Sequence, residues 1–415
     1  MKCESPSVVY ILPDALGGVA TLIGNLLRYR RPDDLRYHVV LTRDLRQRGE
    51  RPIPDRLSVD CQSAVVFERS IDNLEKVLRD VRRSIPAGEG IVVANEWLGL
   101  AALSESDCGR TVLHILHGDM DFCYELAIRH EPVIDGFVTH TRLIYEKLRR
   151  FLPHRWDRIF YLPYGVAIPS ERRAAANGPI RLLFVARLVQ DKGICELPAI
   201  DEALLARDVQ ARWTIVGSGP DGDRVKAEWQ NPRVRWTGVL SNVDVLSLYS
   251  EHDVLVLPTR MEGFPVSMLE AMAAGVVPVV TDLPGGIQQA VQHAVTGYLH
   301  RFWDVDGFAE SIARLDNDRA RLETMSVAAH QLVRDEFDIR KRVTAYQDLF
   351  ARWRELRRTD RGRLPVPYGN RLDKKWLPNC LVRTLRRIIR GTIVPAISSS
   401  GGGHGAGSDA VPQRS

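Results

Sequence analysis

A chain of 415 residues, 45% hydrophobic and 26% charged, with a formal net charge of +5, has the composition of a soluble globular protein. At roughly 150 residues per domain it holds about two to three domains, each able to bury its own core, which excludes a short disulfide-stapled module. The net charge is unevenly placed: residues 351–391 hold thirteen Lys and Arg against Glu355, Asp360 and Asp373, a net +10, residues 392–415 balance Asp409 against Arg414, and residues 1–350 carry −5. A mildly acidic body with one basic segment excludes a general nucleic-acid surface and predicts a local interaction element.

Residues 1–12 contain one early lysine and a short apolar run ended by Pro13, without the length or cleavage pattern of a signal peptide, and read as a first buried strand. No run of about 18 apolar residues predicts a spanning helix. Strands are expected at 8–12, 37–41, 64–67, 91–94, 111–116 and 136–139, and then at 180–186, 213–216, 234–237 and 253–257, with one more opening at Pro278. Short β-branched runs alternating with helical patterns are the rhythm of β-α units on parallel sheets. Between the two series, residues 167–179 carry Pro169, a charged triplet, three alanines and Asn177-Gly178-Pro179, the composition of a linker. The expected fold class is therefore α/β with two Rossmann-like domains, 1–170 and 178–335. A helix over 336–357 crosses them, and 358–415 forms a basic segment and tail. Residues 398–415, rich in Gly and Ser, are expected to be disordered because they cannot bury enough apolar area. Cys3, Cys61, Cys108, Cys123, Cys195 and Cys380 show no C-x-x-C spacing, so they read as reduced thiols in a cytoplasmic compartment.

Two motifs point to chemistry that their surroundings do not support. Gly217-Ser218-Gly219-Pro220-Asp221-Gly222 follows a strand and spells G-x-G-x-x-G, but the next strand, Val234-Arg235-Trp236-Thr237-Gly238, ends without the acidic residue that would hold a ribose. It reads as a tight turn rather than a dinucleotide site. Four D-x-D pairs occur, at 119/121, 221/223, 304/306 and 316/318, about what chance allows among 52 acidic residues. Only Asp119-Met120-Asp121 follows a strand, and even there solvated acids are expected rather than a metal site.

The informative stretch is Glu262-Gly263-Phe264-Pro265-Val266-Ser267-Met268-Leu269-Glu270, two carboxylates separated by seven residues after the strand at 254–257 and the breaker Pro258. Gly263 permits a sharp turn, Pro265 suits a first helical turn, and 267–274 is a good helix. Free backbone N–H groups at that helix start form a cradle for phosphate. Glu262 in the loop and Glu270 in the helix face one crevice, where carboxylates accept hydrogen bonds from sugar hydroxyls.

This element resembles the E-x7-E motif of the retaining GT-B glycosyltransferases of glycosyltransferase family 4, and further matches follow in order. The loop 13–18 with Gly17-Gly18 is similar to the family's N-terminal glycine loop, Ala186-Arg187-Leu188 with Lys192-Gly193 to its diphosphate-binding element, and Val216-Gly217-Ser218-Gly219-Pro220 to its second-domain turn. Residues 270–275, Pro278-Val279-Val280 and Thr296-Gly297-Tyr298 complete a resemblance that spans about 5–350. It implies a GT-B fold, two domains facing each other across a cleft. The implied reaction is metal-independent transfer of a hexosyl unit, with retention, from a nucleotide-diphosphate sugar (UDP- or GDP-linked) to a glycan or lipid-linked acceptor in cell-surface polysaccharide or glycolipid synthesis.

In that reading Arg187 and Lys192 meet the charge that builds on the departing diphosphate, Glu262 holds the donor sugar and Glu270 the ribose. Gly17, Gly18 and the backbone of Gly263, Phe264, Pro265 and Val266 lie on sugar or phosphate. His117 matches the inter-domain histidine beside the reacting sugar, and Asn95 and Asp119 are acceptor-site candidates. No cofactor or metal is implied. One departure is plain: the family's P-N-G-V-D stands here as Pro163-Tyr164-Gly165-Val166-Ala167, which puts the hinge and local acceptor geometry in question. Rival readings are a GT-B epimerase or hydrolase using the donor site alone, and a non-catalytic nucleotide-sugar-binding protein.

On a helical wheel Leu377, Leu381, Val382, Leu385, Ile388 and Ile389 share one face and Arg383, Arg386, Arg387 and Arg390 the other. A basic amphipathic stretch over 376–390 suits an anionic membrane surface, which would place the protein peripherally at the inner face of a membrane. The alternative is a helix docked on the protein with its arginines in solvent.

Overall fold

The computed structural model describes residues 5–15, 17–46, 57–105, 107–174, 177–365 and 369–397, the last eight of them as backbone. Cys3 and the expected disordered tail, 398–415, lie outside the described residues.

Strands β1 (Ser7–Pro13), β2 (Arg36–Asp44), β3 (Cys61–Phe67), β4 (Gly90–Ala94), β5 (Thr111–Leu116), β6 (Gly136–Thr139) and β7 (Ile159–Tyr161) form one parallel sheet in the order β3-β2-β1-β4-β5-β6-β7. Strands β8 (Arg181–Val185), β9 (Arg212–Val216), β10 (Val234–Gly238), β11 (Val254–Leu257), β12 (Val277–Thr281) and β13 (Tyr298–His300) form a second, in the order β10-β9-β8-β11-β12-β13. Parallel sheets are covered on both faces, so their inner strands read as continuous apolar runs. Val254–Leu257 and Gly90–Ala94 are buried throughout, whereas edge strand β10 is half exposed. β7 and β13, three residues each, are too short for a pattern to announce them.

The first sheet carries helices α1 (Gly18–Arg28), α2 (Leu74–Ser84), α3 (Trp97–Ser104), α4 (Asp121–Arg129) and α5 (Arg142–Phe151). The second carries α6 (Leu197–Leu205), α7 (Gly222–Glu228), α8 (Asn242–Tyr249), α9 (Val266–Ala273), α10 (Gly286–Ala290), α11 (Val305–Asn317) and α12 (Arg319–Glu336). Helices α13 (Ile339–Ala351) and α14 (Trp353–Leu356) then return to the first sheet. Phe350 packs on Tyr10 with ring centroids 6.3 Å apart, and the Trp353 carbonyl accepts from the Thr111 hydroxyl at 2.6 Å.

Contacts anchor the chain on and just before the linker-like stretch, at Arg173 and Val166. Arg173 is buried and paired with Asp253 at 2.7 Å and Glu323 at 3.2 Å, and Val166 forms an isolated parallel bridge with Asp338.

The strand orders decide where a site can lie. In each sheet the order reverses beside the first strand, between β1 and β4 and between β8 and β11. Open α/β sheets bind ligands at such switch points, beyond the carboxyl ends of the strands. The loops there hold Gly17 and Asn95 in the first sheet, and Arg187, Lys192 and Glu262 in the second.

Candidate active site

Glu262 and Lys192 stand on the two loops of the second switch point, after β11 and β8. The Lys192 Nζ donates to Glu262 Oε1 at 2.5 Å and to the Met261 carbonyl at 3.3 Å. Lys192 is brought there by Gly193, whose φ of +83° and approach to the Pro258 carbonyl leave no room for a side chain. Arg187 is exposed just beyond β8. Thus the cation and the carboxylate expected at a donor site neutralise one another here.

Pro265 caps α9 from outside, one position earlier than a first-turn proline, and the helix starts at Val266. Glu270, one turn in, is buried and accepts from the Tyr249 hydroxyl at 3.2 Å and the Asn242 amide at 3.5 Å. Burial pushes its carboxyl up to about 7, the two hydrogen bonds only partly opposing the shift.

The first sheet meets this loop closely. A Cβ on Gly263 would stand 2.4 Å from the His117 carbonyl oxygen, and one on Gly18 would stand 3.6 Å from Val266. The glycine loop at the start of α1, His117 after β5, and the start of α9 therefore close on one another across the cleft. Gly17 has open space where its side chain would be.

His117 is held on both ring nitrogens. The Asn95 amide nitrogen donates to the Ile11 carbonyl at 3.1 Å, so its Oδ1 is the atom 2.9 Å from His117 Nε2 and must accept. Nε2 carries the proton, and Nδ1 accepts from the Tyr164 hydroxyl at 3.1 Å. Burial, with His140 and His114 nearby, holds the imidazole well below its usual range and hence neutral. Tyr164, the residue that replaces the expected asparagine, also stacks near His140 at 4.1 Å and Phe264 at 5.6 Å. The departure from the P-N-G-V-D pattern thus supplies a hydroxyl that orients the histidine, a role visible only once β6, β7 and the cleft are assembled.

Beside His117 opens a pocket of about 460 Å³ walled mostly by apolar groups, among them Val19, Trp97, Leu116, Met120, Phe122 and Leu126. Its polar lining includes Asn95, Glu96 and His117, with Arg69, Glu125 and Arg129. Burial lifts the Glu96 carboxyl to about 7, its Thr42 hydrogen bond acting the other way. Glu96 and Trp97 follow Asn95 directly at the end of β4, a cluster readable in the sequence as a candidate acceptor-pocket lining, and all three line this pocket. Asp119, in contrast, does not line the pocket. Its carboxylate is taken by Lys147 at 2.8 and 2.9 Å and by the Tyr124 hydroxyl at 2.5 Å. Both Asp119 oxygens are thus engaged within the first domain, on Lys147 and Tyr124. Among the described residues no group of three His, Cys, Asp or Glu side chains is placed to hold a metal.

Comparison with known proteins agrees with this geometry. Residues 179–318 match the family described as glycosyl transferases group 1. Over 202 residues the chain is 31% identical to glycogen synthase of Mycobacterium tuberculosis, covering 48% of this chain and 49% of that one. Over 176 residues it is 30% identical to the amylovoran biosynthesis glycosyltransferase AmsK of Erwinia amylovora, covering 40% and 43%. The chain spans about half or less of these curated relatives. Among solved structures, HepE of Anabaena in complex with UDP superposes with a TM-score of 0.67 at 17% identity over 83% of this chain and 99% of that one. The pneumococcal O-GlcNAc transferase GtfA with UDP and GlcNAc gives 0.53 at 17% identity over 68% and 60%. The fold is the GT-B arrangement of two Rossmann-like domains across a cleft.

Proposed function

We propose that the chain is a retaining glycosyltransferase of family 4, which moves a hexosyl unit from a nucleotide-diphosphate sugar to a glycan or lipid-linked acceptor in cell-surface polysaccharide or glycolipid synthesis. The observation that carries this reading is the Lys192–Glu262 pair at the second switch point, beside the start of α9 and against the His117 backbone of the opposite domain. UDP and a sugar bound in HepE and GtfA structures of the same fold lend support to a UDP-linked donor.

In the proposed reaction the anomeric carbon's bond to the diphosphate oxygen breaks as the acceptor oxygen bonds to the same face, and the departing diphosphate takes the acceptor's proton. Arg187 and Lys192 meet the charge growing on the diphosphate, a task that asks nothing of a metal. Glu262, freed from Lys192, accepts hydroxyls of the donor sugar, and Glu270 accepts those of the ribose. His117, fixed and neutral, shapes the wall between sugar and acceptor. The pocket beside it gives an acceptor somewhere to stand, which favours transfer over epimerisation or hydrolysis.

The test is a thermal-shift screen with UDP-, GDP- and ADP-sugars, followed by product analysis with and without acceptor. One base should give a selective rise in Tm by mass action. Lys192→Ala should lower donor turnover by roughly 10²–10³, the usual loss on removing one charge-stabilising donor. No stabilisation by any nucleotide sugar, or full turnover in Lys192→Ala, would overturn the proposal.

A further inference from the structure

The basic C-terminal segment does not sit as its helical wheel suggests. Helix α15 (Asn379–Ile397) docks on the start of α2 through its basic side. Arg386 is buried, donating to Asp373 at 2.9 Å, Asn370 at 2.8 Å and the Asp72 carbonyl. Arg383 pairs with Asp72 at 3.2 Å. Asn379 accepts from the Asn73 backbone N–H at 2.7 Å, and Asp373 accepts from the Leu74 N–H at 2.7 Å, so this segment caps α2. Val382 is the apolar residue that enters the seam. Leu381, Ile388 and Ile389 are instead 46%, 59% and 50% exposed, and Trp376, just before the helix, is 77% exposed. The docked arrangement with all its arginines in solvent is thus corrected. The helix is docked through Arg383, Arg386 and Val382, while Arg387, Leu381, Ile388 and Ile389 face outward.

Next to this face runs a groove of about 280 Å³ between α2 and residues 375–379, lined by Lys76, Arg79, Asp80, Arg83, Lys375 and Trp376. Lys76 pairs with Asp80, and Lys375 with Glu105 at 3.0 Å, yet cations outnumber acids along it. Arg387 adds another exposed cation on α15.

We propose that this face rests on an anionic membrane surface, lipid phosphates entering the cationic groove while Trp376, Leu381, Ile388 and Ile389 enter the interface. Apolar side chains rimmed by cations, with an exposed tryptophan beside them, match a surface that is apolar beneath and negative above. A second copy of this chain fits less well, because a two-fold contact would set each cationic rim against its own kind. Among the described residues no helix is long and apolar enough to cross a membrane, so contact is by lying on the surface. The docked loop, residues 68–73, also carries Arg69 into the pocket beside His117, where it lies 4.7 Å over Trp97. Under the function proposed above, that placement brings a lipid-borne acceptor to the catalytic cleft.

The test is co-sedimentation of the full chain with vesicles of about 30% phosphatidylglycerol in phosphatidylcholine, against phosphatidylcholine alone. It needs no catalysis, so its failure is distinct from failure of the proposed function. Binding to the anionic vesicles is expected, falling with added salt and falling at least about tenfold in Leu381→Glu/Ile388→Glu/Ile389→Glu and in Arg83→Ala/Lys375→Ala. Both variants leave Val382 and Arg386 in place, and unchanged thermal melts verify folding. Equal recovery with both vesicle types, unchanged binding in both variants, or dimerisation in sedimentation velocity abolished by the triple variant would overturn the proposal.

Discussion

Glu270 offers the sharpest test, because its burial affects stability and ligand binding in opposite senses. Its carboxyl titrates near 4.5 when exposed and near 7 in the folded chain, chiefly through desolvation. The folded state therefore holds this proton more tightly than the unfolded one. The associated stability is complete below pH 4.5, declines as pH rises, and is fully lost once pH passes 7. Glu270→Gln keeps the shape and removes the charge, so it should be more stable than the parent by an amount that grows with pH. From the two pKa values the gap is about 1 kcal/mol at pH 5.5 and about 3 kcal/mol at pH 8, a difference of several degrees in Tm at the higher pH. Donor binding should run the other way. If ribose hydroxyls donate to the carboxylate, apparent donor affinity of the parent falls about tenfold from pH 8 to pH 6 as the ionised fraction drops, and the variant binds weakly at both. Thermal melts and donor titrations at the two pH values measure both halves. Parallel stability curves for parent and variant, or a less stable variant at pH 8, would refute the assignment of a desolvated carboxyl.

Two further substitutions probe the other side of the cleft. Tyr164→Phe removes the hydroxyl that His117 Nδ1 accepts, a bond worth about 1 kcal/mol, so kcat/KM should fall by roughly five- to tenfold with donor affinity nearly unchanged; donor affinity falling in step with kcat/KM would place Tyr164 in the donor site instead. Gly263→Ala sets a methyl 2.4 Å from the His117 carbonyl, a backbone contact that cannot yield, so the cleft should fail to seat and turnover should drop more than about tenfold. Activity equal to the parent would show that the two domains do not meet at this loop during turnover.

Much of this molecule is legible from local pattern. Strands such as Thr111–Leu116 and Val254–Leu257 announce themselves because parallel strands, buried on both faces, need uninterrupted apolar runs, and the loops that follow them carry the chemistry in linear order. Glu262, Gly263 and Glu270 are readable together because one turn and one helix start hold them within nine residues. β7 and β13 were not, since three residues do not establish a period.

What only the tertiary structure decided are the relations between distant segments. That Lys192 rests on Glu262, that Tyr164 and Asn95 hold His117 from loops beyond two different strands, and that Asp119 is engaged by Lys147 depend on side chains 22 to 70 positions apart. The basic tail shows the same division most clearly. Composition placed a net +10 between 351 and 391, and periodicity made the helix amphipathic. Which face turns inward depended on Asp72, Asp373 and Asn370 standing where Arg386 can reach them, so buried ion pairing rather than apolar contact chose the seam and left the apolar face outside.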